Sequence, residues 1–273
     1  MKKNIFLFGL LLISVAAFSQ TAKESYDNGI TLKNDQKYEE ALAAFKKTIS
    51  LDASYSYAYF QSAWCCNELE KYEDALTFLD KFNPDNDDDL ASKYVEIGYA
   101  NYKLENEDEA INAYNEALRY HPNYGVAYRG LGNVYYDNDE YEDAQTNFEN
   151  AILYDEENSK SSYYTLGWLY NENEEYAKAE SVLKKAIDYD PEDTRNYEEL
   201  AYTFMKLGKY NDGITQAKKA IVLNPKSSLG YYYLGSCYMG LNQKDNAMDA
   251  YNKLKAFDEE EAETLLKEIE GTN

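Results

Sequence analysis

Small and apolar residues recur along this chain in short clusters at a fixed interval. The segments KYEEALAAF (37–45), KYEDALTFL (71–79), EYEDAQTNF (140–148) and EYAKAESVL (175–183) share a tyrosine, an alanine three residues later and a large or apolar residue four further on. The alanines Ala41, Ala75, Ala110, Ala144 and Ala179 follow one another at steps of 34, 35, 34 and 35 residues, and Gly213 and Ala247 add two steps of 34. A period of this length, with helical spacing inside it, predicts a helical repeat array. Pro122, Pro191 and Pro225 fall at one place in the period, where proline ends one helix before the next unit begins.

Seven units follow: 22–55, 56–89, 91–124, 125–158, 160–193, 194–227 and 228–261. Their eighth positions are all small (Gly29, Ala63, Gly98, Gly132, Gly167, Ala201, Gly235), and six of the seven fourth positions are tyrosine (Tyr59, Tyr94, Tyr128, Tyr163, Tyr197, Tyr231). Position 24 is mostly large and apolar, from Phe45 to Tyr251. This pattern resembles the tetratricopeptide repeat, and the resemblance covers residues 22 to 261. It implies an all-α, right-handed superhelical α-solenoid of helix-turn-helix units in which positions 4, 8, 11 and 24 form the interior, so that Tyr59, Tyr128, Tyr135 and Tyr163 are core residues. The first unit, with Ser25 at position 4 and Ala53 at position 32, departs as a terminal repeat does. Beyond the last unit, residues 262–270 place Leu265, Leu266 and Ile269 on one face of a capping helix.

Residues 1–19 read as a secretory signal. Lys2 and Lys3 precede an apolar run from Ile5 to Phe18, and Ala17 and Ser19 are small residues at cleavage positions. Export to a periplasmic or extracellular space is expected, with a mature chain beginning near Gln20 and no membrane insertion of that chain. An uncleaved anchor is the alternative.

Charge narrows the partners. The chain holds 27 Lys+Arg against 50 Asp+Glu, a net charge of −23 that becomes −25 without Lys2 and Lys3. Such a surface repels nucleic acid and anionic lipid. Cys65, Cys66 and Cys237 are an odd set with no disulfide framework and are expected to be semi-buried helix residues. A single histidine, His121, and the lack of a phosphate loop or metal-ligand spacing argue against catalysis and leave no cofactor or metal to expect. The acidic run from Asp85 to Asp89 has a calcium-like alternation, but Leu90 stands where such a loop turns on glycine. Asp89 is expected to cap a helix beginning near Leu90.

Within each unit, positions 2, 5, 9 and 12 fall on one stripe of the first helix. In proteins that this sequence resembles, that stripe lines a concave groove for peptides. Here it is rich in rings: Tyr57, Phe60 and Trp64 in the second unit, Tyr99 and Tyr102 in the third, Tyr136 in the fourth. Tyr164 and Trp168 follow in the fifth, Tyr202 in the sixth and Tyr232 in the seventh. Each tryptophan sits at position 9 and is followed by an asparagine, Asn67 or Asn171. Arg129 and Asn133 stand at positions 5 and 9 of the fourth unit, a fragment of the carboxylate grip used by some members of that family, and Arg195 stands at position 2 of the sixth. The expectation is a non-enzymatic scaffold or adaptor that holds a protein or peptide on this stripe, with the rings at positions 5 and 9 free of core duty. The same rings would serve a carbohydrate-binding module, with Asn67 and Asn171 bonding hydroxyls.

Overall fold

The computed structural model describes residues 21–271, so the expected signal segment lies outside the described residues. The chain divides into two compact units between Glu140 and Tyr141. The first holds α1 (residues 21–34), α2 (Tyr38–Leu51), α3 (Ser56–Glu68), α4 (Tyr72–Lys81), α5 (Asp87–Lys103), α6 (Glu107–Tyr120) and α7 (Gly125–Asp137). The second holds α8 (Tyr141–Tyr154), the short α9 (Glu156–Ser159) with a 3-10 turn over Lys160–Ser162, then α10 (Tyr163–Glu172) and α11 (Tyr176–Tyr189). It continues with α12 (Thr194–Lys206), α13 (Tyr210–Leu223), α14 (Ser228–Gly240), α15 (Lys244–Leu254) and α16 (Glu259–Glu270). Among the described residues every element is helical, as the repeat pattern predicts.

One turn is used seven times. Gln36, Glu70, Glu105, Asp139, Glu174, Gly208 and Asn242, all at position 15, have φ between 57° and 69°. The next residue's N–H closes back on the carbonyl five residues earlier, as in Lys37 to Leu32, Lys71 to Cys66 and Glu175 to Tyr170. This is the Schellman closure, which caps the first helix and reverses the chain into the second. Only Gly208 adopts this left-handed conformation without a Cβ penalty.

Packing inside each repeat follows from size. Position 24 is buried in all seven, including Phe45, Leu79, Leu183 and Ala217 at 0% exposure. Position 8 must be small because that side chain lies against it: a Cβ on Gly98 would sit 2.7 Å from the Tyr114 ring. The tyrosine at position 4 closes the seam between repeats. Tyr59, Tyr128 and Tyr197 donate from their hydroxyls to the carbonyls of Ala53, Pro122 and Pro191, each six residues earlier.

Several expectations need correction. The helix near Leu90 begins at Asp87, and its cap is Asn86, whose Oδ1 accepts from the Asp89 N–H at 2.9 Å. Asn reaches the donor because the loop after Pro84 delivers an extended residue at 86. The terminal helix starts at Glu259, three residues before the expected 262. Asp258 caps it by accepting from the Glu261 N–H. Ala262, Leu265 and Ile269 are buried against α14 and α15. All three cysteines are fully buried rather than semi-buried, and burial pushes their thiols up, Cys66 to about 11. The fifth repeat enters late, because Glu156 replaces proline and α9 with its 3-10 turn delays α10 to Tyr163.

Candidate functional site

Positions 2, 5, 9 and 12 share one face of the first helix of each repeat. A second set of rings meets them there, and the sequence pattern did not expose it. Tyr38, at position 17 where α2 starts, packs edge-on against Trp64 with centroids 5.5 Å apart and planes at 79°. Tyr72 meets Tyr99 in the same way at 6.2 Å and 75°. In the second unit Tyr141 meets Trp168 at 5.2 Å and 78°, and Tyr176 meets Tyr202 at 6.4 Å and 71°. Edge-to-face contact of this kind adds ~0.5–1.5 kcal/mol beyond area burial. Both tryptophans are half-buried, so these rings tie one repeat to the next and are not free of packing duty, which corrects the expectation. The missed signal was the tyrosine opening KYEEALAAF, KYEDALTFL, EYEDAQTNF and EYAKAESVL.

The asparagines are likewise committed. Asn67 is 2% exposed and its Nδ2 donates to Oε2 of Glu96 at 2.7 Å and to the Glu96 carbonyl at 3.3 Å. Asn171, also 2% exposed, donates to Oε2 of Glu199 at 3.0 Å, and its Oδ1 accepts from Thr203 Oγ1 at 2.9 Å. Position 10 of the third repeat is Ala100 where the sixth has Thr203, so Asn67 Oδ1 is left buried with no partner. Neither amide N–H reaches solvent to bond a sugar hydroxyl, a correction that follows from their burial. The residues the sequence reading missed are the acceptors, Glu96 and Glu199 at position 6. An asparagine at position 12 followed 28 or 29 residues later by glutamate was the available sign.

Each of these carboxylates stands in an electronegative corner. Burial pushes the Glu96 carboxyl up to about 7, against the Asn67 hydrogen bond, with Glu68 raising it further and Lys33 opposing. Burial raises Glu199 as well, with Glu172 and Glu198 adding to it. Tyr99 and Tyr202 are raised for the same reason, burial first and the neighbouring acids after it.

The remaining stripe residues fall into local groups. Tyr57 is 46% exposed and donates to Asp89, while Phe60 packs on Phe82 at 5.0 Å. Tyr102 donates to Asp137 at 2.5 Å. Arg129 is half-buried, its Nε is buried without a hydrogen-bond partner, and it makes no ion pair among the described residues. Asn133, one turn on along α7, is half-buried beside it, as is Tyr136. Arg195 lies over the Tyr164 ring at 4.7 Å while its guanidinium holds Asp193 at 2.7 Å. These two line a cavity of about 270 Å³ with Tyr189 and Asn196. Tyr232 packs edge-on against Tyr233 at 5.6 Å. No group of three His, Cys, Asp or Glu side chains among the described residues is placed to hold a metal ion.

Comparison with known proteins agrees with this geometry. Tetratricopeptide repeat models match residues 123–192, and 26–88, 95–145 and 198–262. The chain belongs to the tetratricopeptide repeat family. A TPR repeat-containing protein of Methanocaldococcus jannaschii is 32% identical over 123 residues, covering 44% of this chain and 21% of that protein. The match thus spans about a fifth of the relative's length. Among solved structures, the C-terminal part of a TPR repeat-containing protein from Cytophaga hutchinsonii aligns with a TM-score of 0.64 at 21% identity, covering 89% of this chain and 99% of that one. MamA aligns with a TM-score of 0.57 at 25% identity over 64% and 94% of the two chains. YrrB, a TPR protein with an unusual peptide-binding site, aligns at 0.55 and 20% identity over 82% and 98%. No described helix is long and apolar enough to cross a membrane.

Proposed function

We propose that this protein is a non-enzymatic adaptor of the cell envelope or extracellular space that holds a segment of another protein on the position 2, 5, 9 and 12 stripe. Arg129 is the observation that carries the reading. A half-buried guanidinium with an unpaired Nε is costly to hold, and in an acidic chain it is conspicuous for lacking an acid. A carboxylate or backbone carbonyl of a bound segment would satisfy it, with Asn133 one turn away as a second polar anchor. Tyr99 and Tyr102, on the first helix of the preceding repeat, supply apolar walls. Membership in a family of interaction repeats supports this assignment, and the peptide site of YrrB, a protein of the same fold, is consistent with it.

Export rests on the apolar run behind Lys2 and Lys3, and N-terminal sequencing of the native protein should find a start near Gln20. The binding reading is tested with Arg129→Ala. Proteins captured from native envelope extract by the wild type should be lost with the variant, while the melting temperature changes by no more than a degree or two. Equal capture by both would refute the anchor. Glycans titrated in parallel should leave the intrinsic tryptophan fluorescence unchanged.

A further inference from the structure

The cavity of about 270 Å³ where α10, α11 and α12 meet has in its wall an amide oxygen that the fold does not use. Asn196 lines it, is 2% exposed, and donates from Nδ2 to the carbonyls of Ala186 at 3.3 Å and Asp190 at 3.1 Å. Those two bonds satisfy the end of α11 and fix which way the amide faces, which leaves Oδ1 buried with no partner. Capping alone does not require an asparagine. At the same position of the third repeat, Lys93 donates to the carbonyl of Phe82, the residue equivalent to Ala186, at 2.7 Å and brings no acceptor to leave unpaired. In other repeats the position is small, as Ala58, Ala127, Ser162 and Gly230. A buried acceptor without a donor costs stability, so its presence here is explained by a donor that arrives from outside.

The other lining groups describe what carries that donor. Their charge is balanced, Lys160 and Arg195 against Asp190 and Asp193, so a carboxylate would meet two acids and an ammonium two bases. A neutral group is favoured. Arg195 holds Asp193 through Nε and Nη2, and its Nη1 makes no hydrogen bond among the described residues. The hydroxyls of Ser161 and Thr165 make none there either, so the cavity offers donors as well as the Asn196 acceptor. Tyr189, 54% exposed, adds an apolar wall. A carboxamide answers each of these, with N–H groups for Asn196, a carbonyl oxygen for Arg195 or a hydroxyl, and a methylene stem for the ring.

We infer that this cavity receives the carboxamide side chain of a glutamine or asparagine in the bound segment. The inference rests on the stripe being a binding face, since Ser161, Tyr164 and Arg195 stand on it at positions 2, 5 and 2 of their repeats. It adds a neutral, polar requirement to the carboxylate or carbonyl expected at Arg129, which belongs to the other compact unit.

The full chain is titrated with acetylated, amidated Gly-Gly-X-Gly-Gly peptides in which X is Gln, Asn, Glu, Lys or Gly, and followed by the side-chain amide resonance of Asn196 and the methyl resonance of Thr165. Both should shift with the carboxamide peptides. The better of the Gln and Asn peptides should bind at least about tenfold more tightly than the Glu, Lys and Gly peptides, and methyl glucoside, a neutral polyol, should not bind. Asn196→Lys, which keeps the α11 cap in the manner of Lys93, should weaken that peptide about tenfold, and Thr165→Val should weaken it in the same direction without touching the cap. Glu142→Gln, an exposed acid on α8, should leave it within about twofold. No shift with either carboxamide peptide, equal affinity for the Gln and Glu peptides, binding of the Gly peptide as tightly, or an affinity unchanged by both cavity variants overturns the inference. Arg129→Ala should leave this binding unchanged, so failure here is distinct from failure of the partner-binding reading.

Discussion

Glu96→Gln offers a direct reading of what the buried carboxylates cost. The substitution keeps the shape and leaves an oxygen to accept from Asn67 Nδ2, so only the ionisable proton is removed. The Glu96 carboxyl lies at about 7 in the folded chain against 4.5 for the free acid. A group raised by folding stabilises below its free value and loses that contribution as pH rises through the folded one. The full shift corresponds to ~3 kcal/mol, and relaxation of the site around the charged carboxylate brings the usable part down to about 1–2 kcal/mol. Urea unfolding followed by circular dichroism at pH 5 and pH 8 measures it. The variant should gain about 1–2 kcal/mol on the wild type between those two values, mostly between pH 5 and 7. Curves that move in parallel with pH would refute the assignment of this carboxyl to a desolvated site.

Other outcomes follow from the packing. Trp64→Ala and Trp168→Ala each remove an edge-on ring contact between repeats, so both should lower stability by about 1–3 kcal/mol in thermal melts; an unchanged melting temperature would return these rings to the free surface. Glu174→Gly relieves a left-handed non-glycine residue and should stabilise by about 1 kcal/mol, measured as a higher urea midpoint. Leu265→Ala should cost roughly 2–5 kcal/mol, because the side chain is fully buried over Gly235.

The fold was legible because the repeat constrains many positions at once. Position 8 is small and position 24 is buried in all seven repeats, and position 4 is tyrosine in six of them, for reasons that act within one helix pair. The site was less legible because it is made between repeats. Trp64 and Asn67 look free when only their own helix is considered, since Tyr38 comes from the preceding second helix and Glu96 from the following first helix. Their partners sit 26 and 29 residues away, at spacings that no helical periodicity displays. The helix starts after Asn86 and Asp258 differ from the sequence expectation for a local reason, because each capping side chain is followed at once by a run of acidic residues that blurs the boundary. Arg129 stands out in the sequence as one of three arginines, but its unpaired Nε depends on which acids fail to reach it, and that requires the packed structure.

The most direct test of partner binding is photo-crosslinking from the proposed face. A photoreactive residue replacing Asn133, beside Arg129, is compared in native extract with one replacing Glu116 on the exposed side of α6. Crosslinked segments are identified by mass spectrometry, synthesised and titrated against the wild type and Arg129→Ala. The account predicts that position 133 captures a defined protein segment that position 116 does not, and that the synthetic peptide binds Arg129→Ala at least tenfold more weakly. A segment captured equally from both faces, or one that binds the variant as tightly as the wild type, would contradict it.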